Sequence, residues 1–367
     1  MRFNWRRPLG PPIAADFGAS SIRMLQLSDD GTAIAAAMEA PCELDAEFNE
    51  DTHLSRAATM IETIQADAAW TGNRVVVSMP ASIVSMTHLR LNPADDLDTA
   101  IHTRMQDLGV NPMVRSIDVS TPWQSGRSGR ELLCIAMPRK TVLRYVAMLH
   151  EHGMEVTGVY SPASMLLRAF RHVNRRTSDV DTATMYVNLE PANVTVAFGH
   201  GTTLVAARRV AGSLKPIGQS PAPLADLPPP VPALEHPTHP TDVLTALNRR
   251  QAQASPSMPA IPVAADVADS ALDDLCEELR MCIRQHQSLF GQTAIGRIVF
   301  TGYGATAAGS CRAIARSLQL PAQIGDPLAR WDSSTTSTLT QDWSLQIRPQ
   351  WAIAAGLVAA DDEADTK

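Results

Sequence analysis

Two stretches of this chain place small, carboxylate and hydroxyl residues where a backbone turn can hold an anion. The first is Asp16-Phe17-Gly18-Ala19-Ser20-Ser21, set between two short apolar runs within residues 13 to 27. Each run has strand length and alternates, which predicts a hairpin with this segment at its tip. Gly18 lets the backbone approach a ligand closely, and Ser20 and Ser21 add hydroxyl donors to the N–H groups of the turn. Such a concave row of donors suits a phosphate. Asp16 then suits a Mg²⁺ carried by that phosphate, because hard cations take carboxylate or water oxygens. Taken alone, the same residue types also make an ordinary hairpin turn, where they are favoured for conformational reasons.

The second stretch is Gly302-Tyr303-Gly304-Ala305, between an apolar run at 297 to 301 and a helical pattern at 307 to 318. A Gly-rich turn between a strand and a helix offers backbone N–H groups and a helix N-terminus to a nucleotide. Nine histidines between His88 and His286 show no spacing to a Ser or Cys nucleophile elbow and read as surface or helix-face residues.

The elements that must position these residues follow from periodicity. Residues 57 to 69 have helical spacing, and 74 to 79 read as a buried strand ending at Pro80. Residues 84 to 91 alternate as a strand, 95 to 108 read as a helix capped by Asp95 or Asp96, and 116 to 122 with 131 to 137 read as a hairpin. Pro138 opens a helix that Gly153 closes, 156 to 160 is a strand, and Ser161-Pro162 starts another helix. The unit at about 85 to 153 therefore reads as inserted between two parts of one sheet domain.

Residues 185 to 198 then repeat the design of 13 to 27, with a tip at 188 to 193 and a third run at 202 to 210, an internal duplication. Twelve of the 26 prolines fall between 215 and 262, which reads as a disordered or surface excursion with a weak helical patch at 242 to 250. A strong amphipathic helix covers 271 to 290. A strand at 321 to 324 and a helix at 350 to 357 close the fold.

At 367 residues and 45% hydrophobic, the chain can bury a full core and is long enough for two domains. A net charge of −7 argues against a general nucleic-acid binder, and the one basic cluster, Arg2, Arg6 and Arg7, reads as a frayed terminus. Cys42, Cys134, Cys276, Cys282 and Cys311 are odd in number and lack CxxC spacing, so they read as buried thiols of a reducing compartment. The sequence shows no signal-peptide pattern and no apolar run of about 18 residues, so the expected location is the cytoplasm.

Residues 16 to 23 are similar to the DxGSSSIK-type first phosphate motif of the PilM family, the cytoplasmic actin-like component of type IV pilus assembly. Residues 101 to 118 resemble the inserted subdomain of that family, and 132 to 170 resemble it most closely, with "GMEVTGV" at 153 to 159. Residues 278 to 283 match its E-I-R-R-S-L helix in part. Residues 301 to 305 match its TGGGA with Tyr303 in place of the middle glycine.

The resemblance implies an α/β, actin-like ATPase fold: two duplicated RNase H-like domains with a small α+β subdomain inserted in the first. It divides the chain into 1 to 178 (insertion at about 85 to 153), 179 to 360 (with the Pro-rich segment at about 215 to 262) and an acidic tail, 361 to 367. It also implies ATP and Mg as ligands. Asp16, Gly18, Ser20, Ser21 and Arg23 would form the first phosphate loop, with Asp16 facing the metal. Asn188, Glu190 and Asn193 would form the second loop, Gly302, Tyr303, Gly304 and Ala305 would lie at the adenosine, and Glu278 near the ribose.

The second loop departs from the family. Where the family has D-I-G, this chain has Asn188-Leu189-Glu190. A like-charge contact near 4 Å costs about 4 kcal/mol at an effective dielectric of roughly 20, so Glu190 beside a triphosphate would weaken binding strongly. The expectation is an actin-like scaffold with weak or lost ATP binding and no hydrolysis. In the family, the partner is the cytoplasmic tail of the inner-membrane protein PilN, held here by residues of about 85 to 160. Membrane association would come through that partner, at the inner face of the cytoplasmic membrane, and self-association is left open. Two alternatives remain: an active ATP-hydrolysing enzyme or kinase of the same superfold, and the actin-like part of a type II secretion platform.

Overall fold

The computed structural model describes residues 10–42, 49–67, 69–92, 95–105, 112–119, 130–173, 181–191, 193–210, 262–291, 293–332 and 347–359. The basic N-terminal cluster, most of the Pro-rich segment with its helical patch, and the acidic tail lie outside the described residues.

Residues 13 to 27 form the expected hairpin, β1 (Ile13–Phe17) and β2 (Ser21–Leu27), with every side chain buried. A third strand, β3 (Ile34–Pro41), pairs antiparallel with β2, while β4 (Arg74–Ser78) and β8 (Glu155–Tyr160) extend the sheet by parallel pairing. Its order is β3-β2-β1-β4-β8. The second half repeats it. Strands β9 (Thr182–Glu190), β10 (Asn193–His200), β11 (Thr203–Val210), β12 (Ala294–Thr301) and β13 (Ala322–Ile324) run in the order β11-β10-β9-β12-β13. The same three antiparallel strands and two parallel additions recur, so the duplication read from pattern is a duplication of topology. The fold is of the actin-like α/β class.

A separate three-stranded antiparallel sheet joins β5 (Ser85–Leu91), β7 (Arg130–Met137) and β6 (Met113–Asp118) in that order. On β7, Leu132, Cys134 and Ala136 pack with Leu91 and Met105 in a small core of their own. Leu133, Ile135 and Met137 alternate with them and join the main core. Helix α2 (Leu97–Arg104), capped by Asp96 accepting from the Thr99 amide at 2.8 Å, belongs to this unit. Helix α3 (Arg139–Glu151), which the sequence reading grouped with the inserted unit, instead lies on α1 (Glu50–Ala66) and β8. Its Val142, Tyr145 and Leu149 face the main core, and Arg144 pairs with Glu50 of α1 at 2.6 Å.

Helix α4 (Pro162–Ala169) starts as its sequence dictates, with Ser161 accepting from the Ser164 amide and Pro162 in the first turn. Helix α5 spans Pro262–Phe290 and α6 spans Ala308–Leu318. Helix α7 (Ala352–Val358) is buried at every position, which suits a helix with no polar face. The layers cross over between halves. Helix α4 covers β9, β10 and β11 of the second sheet, α7 covers β1, β2 and β4 of the first, and the two helices lie against each other. They meet at Gly356, where a Cβ would run into the carbonyl oxygen of Met165 well inside contact distance. In an exposed helix, Gly→Ala stabilises by about 1 kcal/mol. Here Gly356→Ala is expected to destabilise by about 1–3 kcal/mol through overpacking, read from urea unfolding.

Of the nine histidines without catalytic spacing, His286 is on a helix face as expected and buried, whereas His200 is buried on a strand rather than at the surface. His200, at the end of β10, and His286, on α5, face each other Nε2 to Nε2 at 3.0 Å. His286 stacks on Phe198 with ring centroids 4.7 Å apart, Phe290 lies beside both, and His88 of β5 approaches the edge of Phe290. Burial pushes the pKa of His200 and His286 down to about 4, so both are neutral near pH 7. One nitrogen of the facing pair therefore donates to the other.

Candidate functional site

The two hairpin tips face each other, and the register of the first sheet explains what gathers there. Asp16 on β1 sits opposite Arg23 on β2, and Arg23 sits opposite Glu39 on β3. Arg23 is almost fully buried. Its Nε binds Glu39 Oε1 at 2.9 Å, and its Nη1 lies 3.4 Å from Glu190 Oε1 and 3.7 Å from Asp16 Oδ2. Glu190 arrives from the second tip, 167 residues along the chain, and its Oε2 accepts a hydrogen bond from Ser20 Oγ at 2.6 Å.

One guanidinium thus meets three carboxylates. Burial, opposed by Arg23 and reinforced by Glu190 and Glu39, pushes the pKa of Asp16 up to about 7. Burial works against the charge of Arg23, but Glu190, Glu39 and Asp16 outweigh it and hold the guanidinium charged.

The first tip is closed around glycine and held from behind. A Cβ at Gly18 would lie 2.7 Å from the carbonyl oxygen of Ser21. His53 Nε2 donates to the Gly18 carbonyl at 2.9 Å, and its Nδ1 accepts from the Tyr145 hydroxyl at 2.8 Å. Burial lowers the pKa of His53, which keeps the ring neutral and its tautomer fixed by these two partners. Ser21 is buried on β2, and its hydroxyl makes no hydrogen bond among the described residues.

The second tip is shorter than the expected 188 to 193: Asn188 lies within β9 and accepts from Thr301 Oγ1 at 3.0 Å across β9 and β12, and Asn193 stands opposite Glu190 in the β9–β10 register. The glycine turn lies over β9. Gly302 has φ +81°, and a Cβ there would meet the Leu189 carbonyl oxygen at 2.6 Å and Asn188 Oδ1 at 2.8 Å. A Cβ on Gly304 would lie 2.9 Å from that of Leu189. These glycines are therefore explained by contact with the protein's own backbone. Residues Tyr303–Thr306 form one turn of 3-10 helix, which buries Gly304 and Ala305. The Tyr303 phenol lies near enough to Glu39, Arg23 and Glu190 to feel their charges, and burial with those carboxylates raises its pKa.

The structure thus gathers Asp16, Gly18, Ser20, Ser21, Arg23, Asn188, Glu190, Asn193 and the turn at 302 to 305 where the two hairpins meet, around the Arg23 ion cluster. Glu278 stands apart from the Arg23 cluster: it is half-exposed on α5 and pairs with Arg208 of β11 at 3.5 Å. Sequence reasoning missed Glu39, His53 and Tyr145. Glu39 lies in an Ala-rich run whose alternation has little amplitude, and the two aromatic residues come from helices whose spacing says nothing of their reach to the tip.

Among the described residues, no three His, Cys, Asp or Glu side chains are arranged to hold a metal ion. The site as it stands does not fit a Mg-triphosphate, because Glu190 holds the Ser20 hydroxyl and Arg23 Nη1, Glu39 holds Arg23 Nε, and a triphosphate would meet both carboxylates.

A second feature lies on the other side of the first sheet. A cavity of about 150 Å³ opens between β6 and β7 of the small sheet, β8 of the first large sheet and the start of α4. Met113, Val114, Arg115, Ile135, Met137, Val159, Tyr160, Ser161 and Ser164 line it. Both β6 and β8 are the outer strands of their sheets. Gly158 makes room for the Tyr160 ring, which a Cβ there would approach to 2.7 Å.

No protein-family model matches the chain, and no curated protein matches it. Solved structures do. A chain of a PilM-PilN type IV pilus biogenesis complex superposes with a TM-score of 0.70 at 15% identity, over 96% of this chain and 99% of that one. MreB5 of Spiroplasma citri bound to ADP gives 0.46 at 9% identity, over 97% and 98%. The cytoplasmic domain of EpsL, an inner-membrane component of the type II secretion system of Vibrio cholerae, gives 0.35 at 12%, over 54% and 70%. Among the described residues, no helix is long and apolar enough to cross a membrane. With its duplicated sheets, facing hairpin tips and full-length superposition, the chain has an actin-like α/β fold similar to that of the PilM-PilN structure.

Proposed function

We propose that this chain is a non-hydrolysing, actin-like assembly protein of a type IV pilus machine, which binds the cytoplasmic tail of a PilN-like inner-membrane protein. The observation that carries the reading is the cavity between two outer strands. An extended peptide entering it finds strand edges on β6 or β8 that no other strand covers among the described residues, and a largely apolar lining for its side chains, the conditions for strand addition. The fold shared with the PilM-PilN structure supports the choice of partner. Held by such a tail, the protein would work at the inner face of the cytoplasmic membrane.

The test is binding of a peptide of that tail to the full chain, followed by fluorescence anisotropy. Met113→Glu sets a charge at the rim of the groove, where Met113 is 40% exposed. It is expected to weaken the peptide by at least about tenfold, the effect of about 1.4 kcal/mol. Undiminished affinity in Met113→Glu, or no binding by the wild type, would refute the groove as the docking site. ATP with Mg²⁺ is expected to give neither turnover nor a thermal shift.

A further inference from the structure

We propose that Glu190 is a built-in anion: its carboxylate takes the donors that a nucleotide phosphate would use and latches the two hairpin tips together without any ligand. The inference rests on the actin-like, non-hydrolysing reading of the cleft and assigns the residue that makes it so.

The geometry supports this in three ways. Ser20 Oγ and Arg23 Nη1 both turn to Glu190, at 2.6 and 3.4 Å, while Arg23 Nε binds Glu39 at 2.9 Å and Ser21 Oγ makes no hydrogen bond among the described residues. A carboxylate and a phosphate ask for the same partners, charge-assisted N–H and O–H donors. The contact also joins residues of the two duplicated sheets, in a site where Arg23 is 1% and Glu190 6% exposed. Such a bond is poorly screened by solvent and salt. Glu190 further occupies the position opposite Asn193, at the tip of a hairpin where a glycine would leave the donors of the first tip open. A triphosphate placed on Ser20 and Arg23 would have to displace Glu190 and then lie beside it, with Asp16 and Glu39 close by. Exclusion of nucleotide and closure of the cleft are therefore two effects of the same side chain.

The experiment compares wild type, Glu190→Gly and Glu190→Gln as full-length proteins, with Mg-ATP as probe. Glu190→Gly is expected to bind Mg-ATP on the order of a thousandfold more tightly than wild type by calorimetry, the effect of removing a like charge about 4 Å from a phosphate. Its radius of gyration by small-angle scattering is expected to increase without ligand and to return towards the wild-type value with Mg-ATP, whereas wild type stays the same in both conditions. Glu190→Gly that binds no better than wild type, or is equally compact without ligand, overturns the proposal. If Glu190→Gly does not fold, Glu190→Gln decides. It keeps an acceptor for Ser20 and loses the charge, so it must bind Mg-ATP more tightly than wild type, and unchanged affinity overturns the proposal. Tight Mg-ATP binding by wild type would also overturn the proposal, whereas turnover of Mg-ATP by wild type would refute the non-hydrolysing reading on which it rests.

Discussion

Asp16→Asn is expected to make the protein more stable at pH 8 by up to about 4 kcal/mol, and to leave it unchanged near pH 4. The group has a pKa of about 7 in the fold against 3.8 for the free side chain. Between those values the folded state binds a proton that the unfolded chain has lost, so stability falls as pH rises from about 4 to about 7. Three pH units at 1.36 kcal/mol each give the figure of about 4 kcal/mol. An asparagine keeps the shape and carries no charge to bury. The Arg23 guanidinium retains Glu39 and Glu190. Urea unfolding at pH 4, 6 and 8 in EDTA reads the difference. A variant less stable than wild type at pH 8 would mean that Arg23 holds Asp16 ionised in the fold.

The opposite slope is expected from the histidine pair. His200 and His286 have pKa values of about 4 in the fold, lowered by burial, against 6.5 for a free imidazole. Below about pH 6.5 the unfolded chain takes up protons that the fold refuses, so their contribution is complete above 6.5 and is lost as pH falls towards 4. Each group is worth about 3 kcal/mol over that window, and the shared hydrogen bond makes the two effects non-additive. The double variant His200→Leu/His286→Phe, which suits the Phe198 and Phe290 surroundings, is expected to retain at pH 4.5 about 3 kcal/mol of stability that the wild type loses between pH 7 and 4.5. Asp16 works against this loss over the same interval. Asp16→Asn should therefore steepen the acid transition, and combining it with the double variant should flatten the profile.

How much of this was legible beforehand depends on the reach of each signal. The β1–β2 hairpin, the β9–β10 copy, and the Ser161-Pro162 helix start were readable because periodicity, turn residues and caps act within a few positions. Gly18, Gly302 and Gly304 were also readable as sites of close approach, although the partner proved to be the Ser21 carbonyl for Gly18 and β9 for Gly302 and Gly304. Strand β3 was missed, since Ala35, Ala36 and Ala37 blur a two-residue alternation, and Glu39 was missed with it. The direction of Glu190 was out of reach. Its charge was plain from the sequence, but Ser20 and Arg23 stand 170 and 167 residues away. Helix α3 was grouped with the small sheet because it follows β7, while its apolar Val142, Tyr145 and Leu149 belong to the core that α1 shares.

The crossing of α4 and α7 sets a timetable for synthesis. The faces of β1, β2 and β4 are made within the first 78 residues, yet the helix that covers them ends at Val358. At translation rates of about 5–20 residues per second, those strands wait on the order of 15–60 s for their cover. During that interval the nascent chain carries an uncovered aliphatic face.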